Sequence, residues 1–332
     1  MAVYVNTNYS ALQGQRYLGN VQNQLTTTYQ RLSSGMRINS AKDDAAGLQI
    51  ADRLTSQING LNQGNRNASD GIALAQTIES GMDEISSMLQ KMRTLAVQAA
   101  NGTNTTEDRT ALSKEMAALA TEINRISTQT TFAGKTVLNG KINGSIYGDG
   151  AAAPPPGGAP AAGPAGVTGS LTLQVGSNKG DTISFNVDSV YFSKIANDQG
   201  LVGTGDTTFF KVANGEVTIN LNKVTFGPPA AGQPGAQAGK TIGDVIDLMD
   251  KAIAKVDGMR ADLGALQNRL ESSIRNQSNV AANEADARSR IRDADFAEES
   301  ANLSQQSIIQ QAAASMLMQA NTRPQLGLSL LG

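Results

Sequence analysis

The 332-residue sequence contains no histidine, no cysteine and no tryptophan, and only 4% of its residues are aromatic. Without histidine or cysteine, the chain cannot form a serine–histidine or cysteine–histidine nucleophile pair. The same absence excludes disulfide bonds, a zinc site made from these residues, cysteine-ligated iron–sulfur clusters and c-type haem attachment. Only carboxylates, lysine, tyrosine, serine and threonine remain as catalytic groups, and we expect no cofactor and no metal.

Charged residues are sparse and nearly balanced, since 27 Lys and Arg against 29 Asp and Glu give a net charge of −2. Proteins that bind DNA or RNA usually carry a basic excess or a basic stripe, so we expect no nucleic-acid partner. The uncharged stretch at 303–322 has 20 residues, of which ten are polar. A membrane-spanning helix needs about 20 mainly apolar residues, so we expect no membrane insertion.

Proline and aromatic residues divide the chain into two arms and a middle. Eight of the nine prolines and seven of the 13 aromatic residues lie between 147 and 234. In the middle, β-branched and partly alternating segments at 170–175, 181–187, 207–212 and 216–226 predict short antiparallel strands separated by glycine-rich turns. The segment TFAGKTVLNG at 131–140 predicts a small hairpin at the end of the first arm.

The arms have the apolar periodicity of helices, with steps of three and four residues. Such a heptad pattern is typical of helices that pack at a shallow angle. Because the two seams lie far apart in sequence, the fold class that we predict is mainly α, an antiparallel helical bundle or coiled coil formed by the N- and C-terminal arms. A β-rich outer domain is inserted between the arms. The core seam that we predict consists of Ile85, Leu89, Leu112, Leu119, Ile123, Leu263, Leu266 and Leu270.

The two ends of the chain differ from ordinary surface helices, which normally alternate apolar and charged faces. Residues 1–30 carry a single charge, Arg16, and residues 303–322 carry none. Uncharged polar faces suit burial against other copies of the same helix, because no charge has to be desolvated. An alternative is a plain helix pair within one chain whose polar face is exposed. The subunit-packing residues that we predict are Leu18, Val21, Leu25, Leu32, Ile308, Ile309, Met316 and Leu317.

Long segments of both arms resemble bacterial flagellin. The N-terminal signature is RLSSGMRINSAKDDAAGLQIADRL at 31–54, followed by LAVQAANGTNT at 95–105. The C-terminal signature is ARSRIRDADFAEESANLSQQSIIQQAAASMLMQAN at 287–321. The resemblance covers roughly 1–145 and 240–332, and says little about the middle of the chain.

The resemblance implies a structural subunit that polymerises into the flagellar filament for swimming motility. It implies export of the unfolded chain by the flagellar type III apparatus with an export chaperone, and assembly under a cap protein beyond the hook–filament junction proteins. The expected location is the extracellular flagellum. Together with the composition, it predicts a terminal coiled-coil inner tube (1–40 with 296–332), a helical outer tube (41–145 with 240–295) and a variable β-rich surface domain (146–239).

Flagellins of enteric bacteria also carry a site read by an innate immune Toll-like receptor. The residues that match its pattern here are Lys91, Leu95 and Glu122. Lys91 stands where the family pattern has arginine, and a lysine offers a point charge rather than a planar fork of donors. We therefore expect recognition by this receptor to be weakened; the alternative is that Lys91 is simply a solvated surface residue.

Three other functions are alternatives to a filament subunit. A glycosidase needs two facing carboxylates, but the candidate pairs, Asp43 with Asp44 and Asp293 with Asp295, are adjacent or nearly so in sequence. A hook–filament junction protein would match the flagellin signatures less closely. A free coiled-coil adhesin is the third alternative, and electron microscopy of sheared surface filaments separates it from a flagellin.

Overall fold

The computed structural model describes residues 7–140, 144–148, 168–192, 194–195, 210–213, 216–219, 221 and 242–329. Long helices account for most of them: α1 (Tyr9–Ser34), α2 (Ala45–Ala99), α3 (Thr106–Gln129), α4 (Ile242–Arg292) and α5 (Phe296–Ser329). The predicted fold class, mainly α with a β-containing insert, is therefore confirmed. Among the described residues, no helix is both long enough and apolar enough to cross a bilayer.

Three two-stranded antiparallel sheets lie between α3 and α4 in the described part of the chain. They are β1 (Thr131–Phe132) with β2 (Lys135–Thr136), β3 (Gly169–Gln174) with β4 (Thr182–Val187), and β5 (Phe210–Ala213) with β6 (Glu216–Ile219). The tight turn of the first hairpin has positive φ at Ala133 and Gly134, as a turn that matches the strand twist requires. The predicted extension of the last strand to 226 lies outside the described residues.

Side-chain caps explain where the helices begin. Thr105 and Asp108 form a complete capping box at the start of α3, each side chain accepting the other's main-chain N–H. Helix α2 begins at Ala45, and Asp44 caps it by accepting the N–H of Gly47 at 2.8 Å. Asp43 instead accepts the N–H and hydroxyl of Ser40 in the preceding turn.

The chain divides into two compact units, one made of residues 1–61 with 278–332 and the other of residues 62–277. The described part of 146–239 is grouped with the helices of the second unit rather than separately. Val187, Phe192 and Leu221 from this segment are at most 1% exposed and belong to the same apolar cluster as the helices. The three-part division expected from composition stays a prediction, and the described insert contributes to the helical core.

The core of the second unit contains the predicted seam. Seven of its residues are buried, and Leu119 is half-buried against the same cluster. Polar side chains also join α2 to α4: Arg260 pairs with Asp83 at 3.0 Å, and Gln267 donates to Glu79 at 2.9 Å. The order of these contacts along the two helices is antiparallel, as expected for arms that return along each other. The buried seam residues are Ile85, Leu89, Leu112, Ile123, Leu263, Leu266 and Leu270.

Buried polar side chains of α3 bond main-chain groups of the insert and of the segment just before it. Asn124 Oδ1 accepts the N–H of Phe192 at 2.9 Å, and Ser113 Oγ accepts the N–H of Leu221 at 3.0 Å. Ser127 Oγ donates to the carbonyl oxygen of Leu138 at 3.2 Å. Each bond pairs a main-chain group that burial would otherwise leave without a partner, which is costly.

Replacing Leu266 tests the core. Leu266 is 2% exposed, so Leu266→Asp would bury a charge and should lower the free energy of unfolding by about 4 kcal/mol or more. The matched variant Leu266→Met keeps an apolar side chain of similar volume and should cost less than about 1.5 kcal/mol. Urea unfolding followed by circular dichroism measures both. Equal midpoints for wild type and the Asp variant would contradict the placement of Leu266 in the core.

Replacing Asn124 tests how the insert is held. Asn124→Ala leaves the buried N–H of Phe192 without its acceptor and should lower stability by about 1–3 kcal/mol. The control is Thr121→Ala, because Thr121 is exposed and bonds only within its own helix, to the carbonyl of Ala117. We expect a change within about 0.5 kcal/mol for the control. Equal losses for the two variants would show that Asn124 does not secure the insert.

Candidate functional site: the terminal helix pair

The terminal helices α1 and α5 form an antiparallel pair within the first unit. Asn8 Nδ2 donates to the carbonyl of Ala320 at 2.7 Å at one end. Thr28 Oγ1 donates to Gln306 Oε1 at 3.2 Å farther along α1. At the other end, Arg31 pairs with the buried carboxylate of Glu299 at 3.0 Å. The pair is thus joined by neutral hydrogen bonds at Asn8 and Thr28 and by an ion pair at its base.

The predicted subunit-packing residues fall into two groups in a single chain. Val21 is buried, and Leu18, Leu25, Leu32, Ile309 and Leu317 are half-buried. Leu317 lies beside Gly14, where a Cβ would stand 3.3 Å from its Cδ1, so the missing side chain lets the helices approach closely. Ile308 and Met316 belong to the second group, since they are 67% and 60% exposed. Helix α5 therefore presents apolar side chains both toward α1 and away from it.

Other large apolar side chains of the first unit are exposed as well. Tyr17 is one of them, and it lines an open groove of about 400 Å³ between α1 and α5 together with Ala313 and Met316. Scattered exposed apolar residues are common, but a high density of them marks an interaction surface. Besides Ile308 and Met316, the exposed large apolar residues among the described side chains of these two helices are Tyr9, Leu12, Tyr17, Tyr29, Phe296 and Met318.

Main-chain hydrogen bonds join the two chain segments at the base of the terminal pair. Gly35 ends α1 in the left-handed conformation at φ 69°, and its carbonyl accepts the N–H of Ala294 at 3.0 Å. The N–H of Arg37 donates to the carbonyl of Arg292 at 2.7 Å. Asp295 then caps α5 by accepting the N–H of Ala297 at 2.8 Å. The two chain segments that lead into the terminal pair are thereby fixed to each other.

Three carboxylates from the candidate glycosidase pairs, those of Asp43, Asp44 and Asp295, accept hydrogen bonds from nearby residues. The main-chain N–H of Ser40 and then its hydroxyl hold the pKa of Asp43 below its usual value. Asp44 and Asp295 cap α2 and α5. A carboxylate that serves as an N-cap acceptor stabilises its helix in the ionised form.

The residues of the expected immune epitope lie in the second unit. Lys91 is exposed, and Leu95 is half-buried against the apolar core. Glu122 lines an open groove with Glu84 and Met88, and it pairs with Arg125 on its own helix. Met88 precedes Leu95 by seven residues, which is about 10 Å along a helix. The structure thus brings Glu122 beside an earlier part of α2 than Leu95.

Comparison with known proteins identifies the chain. The pattern described as the bacterial flagellin N-terminal helical region matches residues 5–143, and the one described as the bacterial flagellin C-terminal helical region matches residues 246–331. The chain belongs to the flagellin family. This flagellin is 39% identical to flagellin D of Vibrio anguillarum and 38% identical to flagellin A of Vibrio cholerae, and both alignments cover 100% of each chain.

Among solved structures, this flagellin is similar to a putative flagellar hook-associated protein from Vibrio parahaemolyticus. The match has a TM-score of 0.50 and 18% sequence identity, and covers 76% of this chain and 100% of the other. At this identity the likeness concerns the fold alone. Family membership makes this flagellin a structural, non-enzymatic subunit of the extracellular flagellar filament, which serves swimming motility.

Several residues that shape the terminal pair were not singled out by sequence. Asn8, Thr28 and Glu299 bridge the two helices, and Gly14 permits their close approach. For Thr28 the sequence did offer a signal: this polar residue occupies a position of the apolar seam of α1, in which residues recur at steps of three and four. For Asn8 and Glu299, the partner lies more than 260 residues away in sequence, and no local pattern indicates it.

Proposed function

We propose that copies of this flagellin pack in the filament through the apolar side chains that α1 and α5 leave exposed. The observation that carries this proposal is the exposure of Ile308 and Met316, whose side chains α1 leaves 67% and 60% exposed in the single chain. Covering such a side chain completely contributes about 1.5–3 kcal/mol. The surrounding polar side chains are uncharged between 303 and 322, so neighbouring copies can cover this face without desolvating a charge.

Folding of the chain ends is coupled to assembly in this proposal. Ordering a residue costs about 1–2 kcal/mol in backbone entropy, and Val21 and Thr28 are the buried residues of α1. A helix pair with so little burial does not offset the cost of ordering both helices. Neighbouring copies supply the missing burial, and a chain whose ends order only on packing does not polymerise before export.

A charge on the exposed face of α5 tests subunit packing. Ile308→Asp should prevent filament formation, because assembly would bury an unpaired carboxylate. Since Ile308 is 67% exposed in the single chain, the helicity of the monomer should stay unchanged. The matched control Ile308→Leu keeps an apolar side chain and should polymerise. Electron microscopy and sedimentation of seeded polymerisation reactions read out the result, and normal filaments from the Asp variant would contradict the proposed surface.

Export and assembly partners follow from the family and belong to the same proposal. The chain is exported unfolded by the flagellar type III apparatus with a chaperone, and the absence of cysteine means that no disulfide hinders threading. It is added under a cap protein at the distal end of the filament. The fold shared with a hook-associated protein supports a continuous helical packing from the junction proteins into the filament.

Recognition by the host Toll-like receptor for flagellin is the last part of the proposal. It rests on Lys91, Leu95 and Glu122, with Lys91 giving weaker recognition than arginine would. Lys91 is accessible in the single chain, and Leu95 is half-buried.

Truncating Leu95 tests the receptor proposal. Leu95→Ala in purified monomer should lower signalling in a receptor reporter assay, because an apolar contact is lost, while circular dichroism should show unchanged helicity. The control is Val97→Ala, which removes a 48% exposed apolar side chain two residues away on the same helix. Full signalling by the Leu95 variant, or equal losses for both variants, would contradict the epitope.

A further inference from the structure

Three Asn-Gly dipeptides lie wholly within the described residues: Asn59-Gly60, Asn101-Gly102 and Asn139-Gly140. In such a dipeptide, the main-chain nitrogen of glycine can attack the side-chain amide carbon of asparagine, because glycine has no Cβ to hinder the approach. Asparagine is thermolabile in proteins. Since the dipeptide is the same at all three places, their reactivities differ through the surrounding structure.

Asn59 is exposed to solvent, but its helical backbone disfavours the reaction. Its side chain is exposed, but it lies in the middle of α2, which runs from Ala45 to Ala99. In a helix, the N–H of Gly60 is bonded to the carbonyl four residues earlier. The attacking nitrogen is therefore engaged, and the helical backbone cannot rotate to bring it to the amide carbon.

Asn139 has a non-helical backbone but is buried, the reverse of Asn59. It lies outside any helix or strand, but it is only 6% exposed, and its Oδ1 accepts the hydroxyl of Thr136 at 2.8 Å. A buried amide held in this way has little freedom to rotate and little access to water. A non-helical backbone without exposure is thus also unfavourable for the reaction.

Asn101 combines exposure with a non-helical backbone, in the connection between Ala99 at the end of α2 and Thr106 at the start of α3. Apart from its two chain neighbours, no group lies within 4 Å of the position that a Cβ on Gly102 would occupy, so the rest of the protein leaves this glycine in open space. The N–H of Thr103 donates to Asn101 Oδ1 at 3.5 Å. This donor faces the oxygen that gains negative charge when the amide carbon is attacked.

We propose that Asn101 is a site of spontaneous self-modification in this flagellin. The Gly102 nitrogen forms a bond to Cγ of Asn101 and loses its proton, and ammonia leaves with the side-chain nitrogen. Water then opens the cyclic imide at either carbonyl, which gives aspartate or isoaspartate. The product adds one negative charge at the C-terminal end of α2, beside carbonyl groups that already carry partial negative charge. Subunits therefore change charge at this loop as they age.

Peptide mapping by mass spectrometry tests the proposal on the folded full-length monomer in mildly alkaline buffer. We expect deamidation at Asn101 to be faster than at Asn59 and Asn139 by about tenfold or more, because the two slower sites must first open locally. Equal rates at the three sites in the folded protein would overturn the proposal. In urea, where the surroundings are removed, the three rates should converge; a difference that persists there would show that the fold does not select Asn101.

The variant Gly102→Ala separates attack by the main-chain nitrogen from direct hydrolysis of the amide. Alanine fits this position, since the space is open and the φ of Gly102 is not positive. Its Cβ hinders the attack, so the rate at Asn101 should fall several-fold while the rates at Asn59 and Asn139 stay unchanged. An unchanged rate at Asn101 would show that the Gly102 nitrogen does not react, and would overturn the assigned step.

Discussion

The terminal helices carry more apolar surface than two helices can cover, and this excess is the constraint on which the rest of the molecule depends. Within one chain, α1 and α5 bury Val21 and Ala313, while Ile308 and Met316 stay largely exposed. Exposed apolar area is removed from water at a gain of about 25 cal/mol per Å². The first unit is therefore incomplete as a single copy, which is the condition expected of a polymer-forming subunit.

The second unit, by comparison, buries its main apolar cluster within the single chain. Ile78, Met82 and Leu89 of α2 have no exposed surface, and they pack with buried residues of α3, α4 and the insert. Polar side chains inside this core are paired with main-chain groups of the insert and of the segment just before it, so burial leaves these groups satisfied. In the proposed packing, the buried core of the second unit provides stability and the exposed apolar residues of the terminal pair provide assembly.

Periodicity predicted the features that depend on neighbours along the chain. The spacing of Leu263, Leu266 and Leu270 indicated a buried helix face, and these residues are at most 3% exposed. Two kinds of feature escaped it. Asn124 bonds a main-chain group 68 residues away, and no local pattern encodes such a partner. The other is the packing of the described part of 146–239: Val187, Phe192 and Leu221 belong to the apolar core of the helices, which no spacing in the sequence indicated, and the division into three parts stays a prediction.

The coupling between folding of the chain ends and assembly is tested most directly by hydrogen exchange, followed by mass spectrometry, on a verified monomer and on filaments. In the monomer, main-chain amides of α1 and α5 should exchange nearly as fast as in an unfolded chain, while those around Leu266 stay protected. In filaments, both terminal helices should become protected. Protection of α1 and α5 in the monomer equal to that in filaments would show that the ends fold on their own, and would contradict the coupling.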